Sequence, residues 1–165
     1  MKETDIAYIA GLIDGEGYIG IKKASVRKDC FHPSYHARIQ IRMVDEPAIK
    51  FITETLGGQY YKEKPNANNG RPLYCYQASD KIAATILKTI IPYLKVKKQS
   101  AETVLQLRKL QSKGTKHRTK ITGYREFPNI HGTVRMVPNM SYSDEYIAMC
   151  DEFYNKCKQL NRVGV

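Results

Sequence analysis

The sequence predicts an α+β fold with the element order αββαββα and a helical tail, and two features of the chain predict it. Apolar residues recur at helical spacing in three separated segments. Between those segments lie paired stretches in which apolar and polar residues alternate at period two. The first helix starts at a Thr4 or Asp5 cap, carries Ile6, Ile9, Ala10, Leu12 and Ile13, and ends at Gly15 to Gly17. Ala7, Gly11 and Gly15 recur every four residues, so three small side chains share one row and let another backbone approach closely.

From Tyr18 to Lys28, Ile19 and Ile21 alternate with Gly20 and Lys22, which predicts a half-exposed strand. From Tyr35 to Met43, Ala37, Ile39, Ile41 and Met43 take one face while His36, Arg38, Gln40 and Arg42 take the other, so one side of the sheet is polar and basic. A second helix opens at Asp45-Glu46-Pro47, buries Ile49, Ile52 and Leu56, and stops at Gly57-Gly58. The stretches QYYKEK and RPLYCYQA flank the loop PNANNG as a second hairpin, with Tyr60, Lys62 and Lys64 sharing a face. Ser79 or Asp80 caps a third helix bearing Ile82, Ile86, Leu87 and Ile90. After Pro92 a basic cluster leads into an amphipathic helix through Val104, Leu107 and Leu110. Residues 112–143 are rich in Lys, Arg, Gly, Thr and Pro and read as loops or short irregular elements. A final helix, capped by Ser143 or Asp144, carries Tyr146, Ile147, Cys150, Phe153, Tyr154, Cys157 and Leu160.

Twenty-seven Lys and Arg against 16 Asp and Glu give a net charge of +11, which favours a polyanionic partner and makes nucleic acid the leading candidate. The apolar run at residues 9–13 is far too short to cross a bilayer, so no membrane partner is expected. Cys30, Cys75, Cys150 and Cys157 show neither a C-x-x-C pair nor dense spacing and read as reduced, packed thiols. Cys30, His32 and His36 cluster locally but lack a fourth zinc ligand. With no signal-peptide pattern, an intracellular compartment that holds DNA, a prokaryotic cytoplasm or an organelle, is expected rather than secretion.

The stretch YIAGLIDGEGYI resembles the signature of the LAGLIDADG homing endonucleases. DEPAIKFITETLGGQYYKEK is similar to that family's first connecting helix and third strand, and IPYLKVKKQSA to the basic turn closing its core. The resemblance covers residues 5 to about 110, the core of a single domain 1–165 whose extension spans about 111–165. It implies an antiparallel saddle-shaped sheet lying in the DNA major groove. It implies also that signature helices meet along the Ala7, Gly11, Gly15 row; with a single signature in the chain, the second helix belongs to another copy, giving a homodimer. The function implied is metal-dependent, site-specific cleavage of double-stranded DNA at a long pseudo-palindromic site, with Mg²⁺ or Mn²⁺ and no small-molecule cofactor.

Glu16 stands where the family has its metal-binding acid, with Gly15 beside it, and Lys97 matches the active-site lysine, Lys95 and Lys98 being close alternatives. The position of a water-ordering glutamine in several homologues falls near Met43, which cannot do that work, leaving Gln40 or Arg42 as replacements. The outward set for base contacts is Lys22, His36, Arg38, Gln40, Tyr60, Lys62 and Lys64, joined by Arg71, Tyr74 and Tyr76. Lys116 and Arg118, in SKGTKHRTK, are assigned to phosphates flanking the site. The alternative implied is a non-cleaving nucleic-acid-binding protein of the same fold, a transcription regulator or an RNA maturase.

Overall fold

The computed structural model describes residues 2–26, 32–63, 72–128 and 134–162. Helix α1, Glu3–Glu16, passes directly into strand β1, Gly17–Ala24. The junction requires glycine: a Cβ on Gly17 would stand 2.7 Å from the Ile13 carbonyl oxygen, which accepts the Gly17 N–H. Thr4 and Asp5 lie inside the helix rather than at its cap; Lys2 holds the cap position and makes no side-chain bond there. Strand β2, Ser34–Met43, returns antiparallel to β1 in a register that pairs Gly17 with Ile41 and Ala24 with Ser34.

Asp45 caps α2, Glu46–Leu56, by accepting the Ala48 N–H at 3.1 Å. Gly57, at φ +74, ends it, as a side chain there would be strained. Strands β3, Gln59–Glu63, and β4, Leu73–Ser79, complete a four-stranded antiparallel sheet in the order β1-β2-β4-β3. Helices α3, Asp80–Ile90, and α4, Lys98–Ser112, follow. One face of the sheet is covered by helices: Ile9, Ala10 and Ile13 of α1, Ile49 and Ile52 of α2, and Ile86, Leu87 and Ile90 of α3 bury against Ile19, Ile39, Ile41 and Tyr76. That core leaves the opposite face for polar side chains.

Helix α5, Asp144–Arg162, begins where the Ser143 hydroxyl accepts the Tyr146 N–H at 3.3 Å and runs along the exposed edge of β1. Asn161 Nδ2 donates to the Ile19 carbonyl at 2.9 Å, the Cys157 thiol donates to the same oxygen at 3.8 Å, and Lys23 pairs with Asp151 at 2.5 Å. An edge carbonyl is thus satisfied and the edge closed to other strands. Burial pushes the Cys157 thiol up to about 11. Cys75, Cys150 and Cys157 are all buried and free, while Cys30 lies outside the described residues. Among the described residues no three His, Cys, Asp or Glu side chains form a metal-binding group, and no helix is long and apolar enough to cross a membrane.

The stretch read as loops is instead largely regular. After a 3₁₀ turn at Gly114–His117, strands β5, Lys120–Pro128, and β6, Val134–Ser141, pair as a separate two-stranded ribbon. Its register shifts between Ile121 and Gly123, a bulge that places Ile121 and Tyr124 on one face although they stand an odd three positions apart.

Candidate active site and nucleic-acid interface

Strand register decides which side chains face away from the helices. Gln40 is opposite both Tyr18 and Gln77, Gln77 is opposite Gln59, and Arg42 and Tyr61 flank Cys75. The open face therefore carries Tyr18 and Lys22 from β1, His36, Arg38, Gln40 and Arg42 from β2, Gln77 from β4, and Gln59, Tyr61 and Glu63 from β3. The same alternation puts Tyr60, Lys62, Tyr74 and Tyr76 on the helix side, against the sequence expectation. Tyr76 is fully buried, with its hydroxyl donating to the Gly57 carbonyl at 2.9 Å. The Tyr74 hydroxyl serves Glu46 of α2, Lys62 lies beside that same carboxylate, and Tyr60 approaches Lys50. The reason is a one-residue slip in face: β3 carries tyrosines on both sides, Tyr60 and Tyr61, and in β4 Tyr74 and Tyr76 alternate with Leu73, Cys75 and Gln77, so polarity does not distinguish the two sides. Lys64 and Arg71 lie outside the described residues.

On the open face the polar groups organise one another. Arg38 Nη2 donates to Gln77 Oε1 at 2.5 Å. Arg42 Nε pairs with Glu63 at 2.9 Å, and the Gln40 carboxamide oxygen, turned toward the guanidinium, accepts from Arg42 Nη2 at 3.2 Å. The other amide orientation, nitrogen on the Cys75 sulfur at 3.1 Å, leaves the guanidinium facing another donor. His36 Nδ1 meets Asp80 Oδ2 at 2.9 Å and His36 Nε2 meets the Ser34 hydroxyl at 3.1 Å.

At one end of this face an open depression of about 360 Å³ is lined by Glu16, Gly17, Tyr18, Gln40 and Arg42. Glu16 is the last residue of α1 and is exposed. It sits where the final helix carbonyls have no helical partner and the helix dipole is negative, an unfavourable place for an anion and a favourable one for a cation. Lys97, at the start of α4, sends its ammonium to the Ile13 carbonyl at 3.1 Å and to the Asp14 carbonyl. Lys95 and Lys98 are exposed. Glu16 and the Gly15 carbonyl supply the oxygen donors that a hard divalent cation requires, so the residues fit Mg²⁺ in chemical type.

The residue that sequence reasoning passed over is Asp14. Its carboxylate accepts three consecutive backbone N–H groups, from Lys95 at 2.6 Å, Val96 at 3.2 Å and Lys97 at 2.9 Å. Two residues along a helix are about 200° apart, so Asp14 turns from the open face while Glu16 meets it. Ala7, Gly11 and Gly15 form an exposed row on α1, with Tyr8 beside them 54% exposed; among the described residues, nothing beyond the adjoining residues and the helix's own nearby backbone lies within 4 Å of a Cβ built on Gly11 or Gly15. Lys116 and Arg118 are exposed where the chain leaves α4, Arg118 lying over the Tyr142 ring at 5.0 Å.

Residues 9–111 match the family described as LAGLIDADG endonuclease, while no curated protein sequence matches. Homing endonuclease I-CvuI, in complex with its target in the presence of calcium, is 19% identical and superposes with a TM-score of 0.67 over 95% of this chain and 82% of that one. The archaeal intron-encoded homing endonuclease I-Vdi141I, complexed with DNA, is 15% identical, with a TM-score of 0.59 over 93% of this chain and 98% of that one. Homing endonuclease I-TnaI is 13% identical, with a TM-score of 0.57 over 97% of each chain. Such identities speak for the fold; the family match spans well over half the chain, and on it this protein belongs to the LAGLIDADG endonuclease family.

Proposed function

We propose that the protein is a site-specific double-strand DNA endonuclease that acts as a homodimer and hydrolyses phosphodiesters with a divalent metal, working in a compartment that holds DNA. The observation that carries this reading is the convergence of Glu16, Gln40 and Arg42 on one depression, with Lys97 held on the carbonyls of the same helix end. Metal-free DNA-binding needs no carboxylate on a basic face; there an exposed Glu16 repels phosphate. Glu16 and the Gly15 carbonyl would hold the cation, which when bound activates a water and steadies the leaving oxygen. Arg42 and Lys97 stand as fixed positive groups near charge that develops on the phosphate, and Gln40, held by Arg42, is placed to order a water. Lys22, His36, Arg38 and Gln77 give the open face the donors and acceptors that read base edges in the major groove. Both complexes with DNA named above are of relatives sharing this fold, which supports the partner.

The test uses DNA carrying the site that the wild type selects from a randomised library. Glu16→Gln keeps shape and removes the charge that holds the cation, so cleavage is expected to vanish while binding persists. Lys97→Met, which removes electrostatic support only, is expected to slow cutting by about 10²-fold. Wild-type cleavage in chelator, or by Glu16→Gln, overturns the metal mechanism; tight binding with no cutting under any divalent metal points to the non-cleaving alternative.

A further inference from the structure

The β5–β6 ribbon has an unusual surface. Ile121, Tyr124, Val134, Met136 and Met140 share one face with Pro128, Pro138 and Glu126, and those five apolar side chains are 45 to 60% exposed. On the reverse face Arg125 and Arg135 are both exposed, as is Phe127 opposite Arg135, whereas Val137 and Asn139 are partly covered. Lys116, Arg118 and Lys120 surround its root, and Lys120 is fixed by Asp144 at 2.9 Å. Glu126 is the one carboxylate in the two strands. Exposed aliphatic and aromatic side chains next to arginines, with almost no acid, make no sense as a solvated surface.

The root fixes where the ribbon stands. Tyr142, directly after β6, stacks on Tyr146 at 4.7 Å, Tyr146 on His117 at 4.9 Å, and His32 meets Tyr142 edge-on at 4.8 Å. His32 precedes β2, so the ribbon is fastened at the end of the open sheet face remote from Glu16. The eight residues of β1 separate the two ends by roughly 25 Å, or about seven base pairs of stacked duplex. A duplex whose major groove lies on the sheet over that length next turns its minor groove to the same side, since each groove recurs about every ten base pairs.

We propose that the ribbon is a second DNA-binding element that enters the minor groove flanking the site. Its apolar face meets the deoxyribose walls and base edges, as Ile, Met and Pro do where proteins enter that groove. Arg125 and Arg135 reach the phosphates that border the ribbon on both sides, and the basic root binds the backbone at the groove mouth. The inference rests on the DNA-binding reading above and adds a contact that the sheet does not supply.

The experiment compares wild type, Arg125→Ala with Arg135→Ala, and Tyr124→Ser with Met136→Ser. Each is titrated in chelator across a salt series on the selected site, in a short duplex of roughly 16 base pairs and a long one of roughly 36. Wild type is expected to prefer the long duplex. The arginine pair, removed from both subunits of the proposed dimer, lowers the slope of log affinity on log salt by about four on the long duplex and leaves the short one unchanged. Methylation of adenine N3 in the flank is expected to block wild-type binding to the long duplex and to lose that effect in the Tyr124, Met136 variant. Equal wild-type affinity for both duplexes, or ribbon variants that match wild type on the long one, overturns the ribbon's role while leaving the sheet reading intact. A wild type that binds neither duplex overturns both.

Discussion

Two carboxylates two residues apart do different work in this chain because a helix turns them to different sides. Asp14 gathers the N–H groups of Lys95, Val96 and Lys97, and in doing so bends the chain so that the Lys97 ammonium can return to the α1 carbonyls. Glu16 is left free on the open face. Asp14→Asn turns one acceptor oxygen into a donor and leaves at least one of those amides facing another donor. The expected loss is about 1 to 3 kcal/mol of stability, accompanied by slower cleavage as Lys97 loosens. Thermal denaturation beside single-turnover cleavage checks it: Glu16→Gln lowers activity without lowering the melting temperature, whereas Asp14→Asn lowers both. An Asp14→Asn protein as stable as wild type would remove the clamp from the account. Tyr76 shows the same discrimination by place, since its neighbours Cys75 and Gln77 face the other side of the sheet.

Among the elements, α1 has two sides with different duties: Ile9, Ala10 and Ile13 lie beneath the sheet, and the Ala7, Gly11, Gly15 row is bare. If a second α1 packs on that row, Gly11→Leu forces the helices apart at a cost of about 1 to 3 kcal/mol in each copy, felt twice by symmetry. Sedimentation is expected to show monomer at concentrations where wild type is dimeric, with far-ultraviolet circular dichroism unchanged because the space above Gly11 is open within one chain. A fully dimeric, active Gly11→Leu protein refutes the seam. What the sequence made legible follows from contrast between faces. In β2, isoleucines alternate with His, Arg and Gln, and both faces are readable; α2 announces itself through Asp45 and the glycines after Leu56. In β3 tyrosine and lysine, and in β4 tyrosine, suit either side, and only the pairing of β4 with β2 and of β3 with β4 fixes the phase. The ribbon escaped notice because its bulge breaks the period of two and both its strands are edges, where Pro138 is tolerated and apolar burial is absent.

At the scale of the whole molecule, one chain offers one Glu16, while a double-strand break needs two phosphodiesters cut. A charge of +11 per chain makes pairing of two copies costly in free solution and favourable along a polyanion, so in the proposed assembly DNA and dimer would support each other. The symmetry has a consequence that no single-chain property shares. In a mixed dimer of one wild-type and one Glu16→Gln subunit, purified through different tags on the two chains, the two helix ends differ only in the charge that holds the cation. If, as proposed, each end serves one strand, the mixed dimer is expected to bind the selected site as wild type does but to open only one strand, converting supercoiled plasmid to nicked circle and stopping there. Wild-type dimers are expected to carry the same plasmid through to the linear form, and Glu16→Gln dimers to leave it supercoiled. Gel analysis of plasmid forms during a single binding event reads all three outcomes. Linear product from the mixed dimer at the wild-type rate would mean that one Glu16 serves both strands, and the assignment of one helix end to each strand would fall with it.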